Sequence, residues 1–237
     1  MKLSRTPIGL LIAGLCSTLA ACGGDVGGNT PPAVDPPVET PADVKACFTV
    51  KPGLRYTISD PDRTYVAKSV FYTQEKFDGA VHPVQIEYFD VEGTSRAAAL
   101  YFSVEADGVR FWGDYDYTPP DGVQATKSVY TGFLVPNTLA PTQTVTIKYI
   151  DNNYFTNGNV TADAEQETWT FEGHETLAMA GRSFPGACRF KIVNDAQPTA
   201  WTTVMWVAPG YGPIQYKFID VDGTVRGVRN LASVTEP

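Results

Sequence analysis

Histidine is nearly missing from this chain of 237 residues. It occurs only at positions 82 and 174, neither with a cysteine or a second histidine at ligand spacing. Common zinc sites need Cys and His at short regular separations, so no metal centre and no other cofactor is expected. Positive charge is also short, with 18 Lys and Arg against 26 Asp and Glu. A surface of that balance repels phosphate backbones and anionic head groups, which excludes nucleic acid as a partner and electrostatic docking onto a bilayer. Long amphipathic helical stretches are lacking, although residues 162 to 167 have room for a single turn. The only long apolar run lies within the first 22 residues.

That run has the parts of an export signal. Lys2 and Arg5 precede PIGLLIAGLCSTLAAC, which breaks at Cys22 into GGDVGGNTPP, too early for a membrane-spanning helix of about 20 residues. Leu19-Ala20-Ala21-Cys22 resembles a bacterial lipobox, with small residues before the cysteine that is lipidated. Cys16 follows the bulky Leu15 and is discarded with the signal. The expected divisions are a signal peptide over 1 to 21, a lipidated Cys22 with a tether over 22 to 45, and one domain over 46 to 237. The tether, GGDVGGNTPPAVDPPVETPADVK after Cys22, is Gly- and Pro-rich, contains no aromatic residue and reads as disordered. Gly23, where Asp would favour retention in the inner membrane, resembles the sorting signal for the Gram-negative outer membrane. The expected location is that membrane, facing the periplasm, held by acyl chains such as palmitate. Loss of residues 1 to 21 removes two basic residues and no acid, leaving a net charge of about −10.

The remaining domain reads as all-β. Alternation recurs, as in Val145, Ile147 and Tyr149 between Thr144, Thr146 and Lys148, and turn residues punctuate it at short intervals. Candidate strands lie near 53–59, 64–74, 98–104, 126–134, 166–172, 200–208 and 225–233. In GVRFWGDYDY the pattern puts Val109, Phe111, Tyr115 and Tyr117 on one face and Arg110, Asp114 and Asp116 on the other, with a bulge or bend at Gly113. Two cysteines remain, Cys47 and Cys188, and an even pair in an oxidising envelope is most simply one disulfide, two buried thiols being the alternative.

One phrase is written twice: PVQIEYFDVEGTSR at 83 to 96 and PIQYKFIDVDGTVR at 213 to 226. In each, an alternating strand runs into an acid-Gly pair and a second strand follows, as in a hairpin whose glycine takes positive φ. Each follows an Ala-Cys strand start, Ala46-Cys47-Phe48 or Ala187-Cys188-Arg189, so two related meanders in one sheet or barrel are expected. IKYIDNN at 147 to 153 is a weaker echo, a candidate third hairpin. Asp220 and Asp222 alternate like the start of a calcium loop, but Val, Thr and Arg follow where oxygen ligands are needed.

The stretches GVRFWGDYDY, FLVPNTLAPTQTVTIKY, ETWTFEGHETLAMAGRSFPGACRFKI and TTVMWVAPGYGPIQYKF resemble a group of Gram-negative envelope lipoproteins whose function is not established. In that group an acid-headed strand, a Gly-x-Phe turn and a strand cysteine precede a Trp-x-Ala-x-Gly-x-Gly motif. Here these match Glu175, the segment 181 to 188, and Trp206, Ala208, Gly210 and Gly212. The resemblance covers most of residues 100 to 237 and implies an antiparallel half-barrel similar to the Lol lipoprotein carriers, which hold acyl chains in an apolar concavity.

No motif carries chemistry. GRSFPG at 181 to 186 has the wrong spacing for a nucleophile elbow, and Pro185 blocks the helix that must follow; APGYGP at 208 to 213 lacks the lysine of a phosphate loop. Trp112, Trp201 and Trp206 are candidates to line a groove. The expected function is non-catalytic binding of an apolar ligand, such as a lipid, or of an envelope protein. A polysaccharide hydrolase, with two acids converging in an aromatic cleft, and a purely structural module are the alternatives.

Overall fold

Strand alternation along the chain produces a barrel. A computed structural model describes residues 43–59, 68–119, 121–195 and 202–237. Among these residues one short helix, α1 (Val44–Phe48), precedes thirteen strands. These are β1 (Arg55–Ser59), β2 (Ser69–Phe77), β3 (Ala80–Tyr88), β4 (Arg96–Val104), β5 (Gly108–Thr118), β6 (Val123–Thr131), β7 (Leu134–Pro136), β8 (Thr144–Phe155), β9 (Val160–Met179), β10 (Arg182–Asn194), β11 (Thr202–Ala208), β12 (Gly212–Ile219) and β13 (Val225–Thr235). Twelve follow one another in the order β4-β3-β2-β1-β13-β12-β11-β10-β9-β8-β6-β5, and β5 pairs back onto β4. β7 adds a short pairing to β5.

The all-β antiparallel expectation holds, and the half-barrel is corrected to a closed barrel. Ala98–Val104 of β4 pair with Val109–Asp116 of β5, so the last gap in the ring is bridged by backbone hydrogen bonds. All these elements belong to the compact unit Pro37–Pro237, so the barrel is complete without the residues before it.

Strands that alternate in direction sort the turns to two ends. α1 lies at the end that carries the β2–β3, β4–β5, β9–β10 and β11–β12 turns. The opposite end carries the β3–β4, β5–β6, β8–β9 and β12–β13 turns.

Two segments differ from the sequence expectation. Ala46-Cys47-Phe48 is helical, and α1 takes in the last two residues assigned to the tether. Asp43 caps it by accepting from the Ala46 N–H at 2.9 Å, and Asn137 accepts from the Lys45 N–H at 3.1 Å. Residues 162–167 are strand, held by β8 through pairs such as Asp151 with Asp163 and Tyr149 with Glu165. Val44, Cys47 and Phe48 are buried, and Cys47 is disulfide-bonded to Cys188 of β10 with Cα atoms 6.0 Å apart. The expected bridge is therefore present, and it ties the helix to the barrel wall.

The repeated phrase forms two hairpins, β3–β4 and β12–β13. Gly93 and Gly223 have φ of 76° and 86°, as the acid-Gly turn requires. Asp90 accepts from the backbone N–H groups of Gly93, Thr94 and Ser95, while Asp222 accepts from Thr224 N–H at 2.8 Å. The copies then diverge. Strand β12 bulges where Trp206 pairs with Gln215 and Val207 with Pro213, and a one-residue slip reverses every side chain beyond it. Gln85 consequently faces the barrel interior, whereas in the second copy the interior position falls to Tyr216. The echo at 147–153 lies within β8 and runs straight on; its hairpin turns later, at 156–159.

A second bulge has a larger consequence. Tyr101 pairs with Gly113 and Phe102 with Phe111, so the Trp112–Gly113 step reverses the faces of β5. A Cβ on Gly113 would lie 2.0 Å from the Ser128 carbonyl oxygen and 2.7 Å from the Phe77 ring, which is why glycine stands there. Val109 and Phe111 point inward before the bulge; after it, Asp114 and Asp116 do, and Tyr115 and Tyr117 turn outward. The outward tyrosines join Phe77, Tyr101 and Trp112 in an aromatic cluster on the outer face, apart from the main core inside the barrel.

Candidate functional site

Large side chains do not fill the barrel completely. A cavity of about 290 Å³ remains, lined by eight aromatic rings: Phe48, Phe102, Phe111, Tyr130, Phe133, Tyr149, Trp169 and Tyr216. Leu100, Ile192, Met205 and Pro213 complete most of the apolar wall. Phe48 closes it from α1, with its ring 5.6 Å from Phe190 and 6.1 Å from Phe111. Phe133 stacks on Tyr149 at 4.3 Å. These are ordinary aromatic packing distances, so the walls are preformed and mutually supported.

Polar groups enter from the opposite side. Gln85, Glu167 and Thr203 line the cavity, and Glu167 is its one charged lining residue. Its carboxylate accepts from Trp169 Nε1 at 2.7 Å and from the Tyr149 hydroxyl at 3.2 Å. Burial raises its pKa above the ordinary glutamate value, against these hydrogen bonds, which lower it. Behind the cavity wall the Tyr130 hydroxyl donates to Asp114. Burial pushes Asp114 up to about 7, with the Asp116 and Asp151 carboxylates adding to the rise. Asp116 and Asp151 are also raised, mainly by burial. Gln85 accepts from the Tyr72 hydroxyl at 2.7 Å and donates to Glu87 at 3.1 Å.

The candidate tryptophans lie elsewhere. Trp112 is on the outer face, its Nε1 donating to Ser103 at 2.9 Å and its ring 4.8 Å from that of His82. Trp206 is buried outside the cavity; its Nε1 donates to Glu175, and Arg189 and Lys217 lie 5.2 Å from its ring. Trp201 lies outside the described residues, as do Leu19, Ala20, Ala21 and Cys22. The tryptophan that does line the cavity, Trp169, was not singled out by sequence, and neither were Asp114 and Glu167. The missing signal was parity: the bulge at Gly113 was legible, but not that it turns the following acids inward.

His174 also gains neighbours that chain spacing hides. The β9–β10 register sets it opposite Cys188, and its ring nitrogen and the two cysteine sulfurs lie within 4.8 Å of one another. Both sulfurs are bonded to each other, so neither is available as a thiolate ligand.

Two solved structures are similar to the chain. One is a protein described as exported, with a YmcC-like fold, from Bacteroides fragilis, at 12% identity and a TM-score of 0.37. The other is a protein described as a lipoprotein from Parabacteroides distasonis, at 10% identity and a TM-score of 0.41. Each comparison covers 80% of this chain and 98% of the other. No protein-family model and no curated protein sequence matches the chain, and similarity at the level of these two structures assigns no function.

Proposed function

We propose that this chain is a non-catalytic lipoprotein, lipidated at Cys22 and held in the outer membrane facing the periplasm, whose barrel binds a small apolar ligand. The observation that carries the binding reading is the aromatic-walled cavity of about 290 Å³. Apolar surface left unfilled in a preformed concave wall is where a ligand gains contact without first reorganising the protein. An engineered cavity of about 150 Å³ accepts benzene, so this one suits a molecule of roughly ten to twelve heavy atoms. A lipid with two or three long acyl chains is several times larger, which separates this barrel from a carrier of whole lipoproteins.

The lipobox, the export signal and the disulfide support the location. The hydrolase alternative has less support, because a glycosidase needs two carboxylates facing the substrate and Glu167 alone lines the cavity.

The test is a titration of the Pro37–Pro237 unit with 1-naphthol, followed by protein fluorescence. Saturable one-to-one binding is expected. Met205→Trp, which fills the cavity from β11, should abolish it. No saturable binding, or equal binding by Met205→Trp, would overturn the reading.

A further inference from the structure

Once the cavity is taken as a ligand site, the charges around it say more about the ligand than its shape does. Seven carboxylates stand on the inward face of the strands, Glu87, Asp114, Asp116, Asp151, Asp163, Glu165 and Glu167; Asp116 and Asp163 are exposed and the rest half-buried. Arg229 faces them from β13 and is paired with Glu87 at 3.3 Å. Among the described residues no Lys or Arg forms an ion pair with the other six. Asp114 Oδ1 and Asp151 Oδ1 are buried and accept no hydrogen bond.

Packing alone gives no reason for this arrangement. Asp114, Asp151 and Glu167 are half-buried, and a carboxylate partly withdrawn from water with a buried, unpartnered oxygen is costly unless a proton or a cation compensates it. A divalent metal ion fits poorly, because it needs several oxygens converging on one point. Among the described residues the one group of three or more candidate ligand atoms that converges is Cys47, His174 and Cys188, which contains no carboxylate. The acids are spread along β5, β8 and β9 instead, giving a broad negative field on one side of an apolar pocket.

We propose that the ligand is a small amphiphilic amine, a proposal that rests on the cavity being a binding site. Its hydrocarbon or ring body lies among Phe48, Phe111, Phe133 and Trp169, and its ammonium group lies against Glu167 in the field of Asp114 and Asp151. The chemistry of the acceptors agrees. Each Glu167 oxygen accepts one hydrogen bond from the chain and has a second lone pair for an N–H donor. An anionic ligand of the same shape meets the same field with the opposite sign.

Three compounds with one tail and different heads separate this inference from the cavity reading. 1-Octylamine, 1-octanol and octanoate are titrated calorimetrically into the Pro37–Pro237 unit at pH 7.5. Octanol should bind, octylamine at least tenfold more tightly, and octanoate more weakly than octanol. Glu167→Gln and Asp114→Asn should each lower the amine-to-alcohol affinity ratio at least threefold. Octanol binding as tightly as octylamine would overturn the charge inference and leave the cavity reading intact. Binding of none of the three would overturn both. If either variant fails to fold, the head-group series on the unaltered protein decides.

Discussion

Asp114→Asn removes the charge that the barrel interior resists most. Burial holds this carboxyl at a pKa of about 7, against an ordinary value of 3.8. A difference of roughly three units, at about 1.4 kcal/mol each, makes ionised Asp114 cost the fold on the order of 4 kcal/mol. In the unfolded chain the proton leaves near pH 4, whereas in the barrel it stays until about pH 7. Between those values the native state binds more protons, so stability falls as pH rises, with the full loss present above pH 7. Asparagine retains an acceptor for the Tyr130 hydroxyl and cannot ionise. The variant should match the unaltered protein near pH 4 and exceed it at pH 8. At about 2–4 °C per kcal/mol for a domain of this size, the gain in Tm at pH 8 is roughly 10 °C. Thermal unfolding by circular dichroism at pH 4.5, 6, 7 and 8, with the disulfide intact, measures it. Asp116, Asp151 and Glu167 are shifted in the same direction, so the variant keeps a shallower decline. Parallel pH profiles for the two proteins would refute the reasoning.

Replacing both Cys47 and Cys188 by Ala frees a loop spanning a sequence separation of 141 residues. Loop-closure entropy predicts a loss of about 5 kcal/mol, read by guanidinium unfolding, and a loss below about 1 kcal/mol would show that the bridge constrains little. Gly223→Val should destabilise by about 1 kcal/mol or more. An added Cβ meets nothing within 4 Å, so the cost comes from the backbone at φ 86°, and a neutral urea midpoint would contradict that geometry. Cys22→Ser should abolish labelling by a radioactive or clickable fatty acid in cells, and persistent label would place the anchor elsewhere.

The fold was legible where the pattern was local. Alternation marked the strands, the acid-Gly pairs marked the β3–β4 and β12–β13 hairpins, and the cysteine count led to the bridge between α1 and β10. Closure was not legible, because the β4–β5 pairing depends on the register of distant strands and not on any motif. The site was hidden by two single-residue bulges. At Trp112–Gly113 the reversal carries Asp114 and Asp116 from the expected wet face into the barrel, and on β12 it exchanges a glutamine for Tyr216 at the cavity wall. Period-two reasoning assumes an unbroken pleat, so every face assigned beyond a bulge is inverted. The helical turn of α1 was missed for another reason: Asp43 and Asn137, which hold it, are 94 residues apart and hydrogen-bonded to each other at 3.1 Å.

Native mass spectrometry of the Pro37–Pro237 unit, exported to the envelope and purified without detergent, tests the central claim most directly. The account predicts a stoichiometric added mass of roughly 130–180 Da, the range of a molecule that fills a cavity about twice the size of a benzene site. That mass should be absent from Met205→Trp. A bare protein that also fails to take up 1-naphthol, or an added mass the size of a multi-chain lipid, would contradict it.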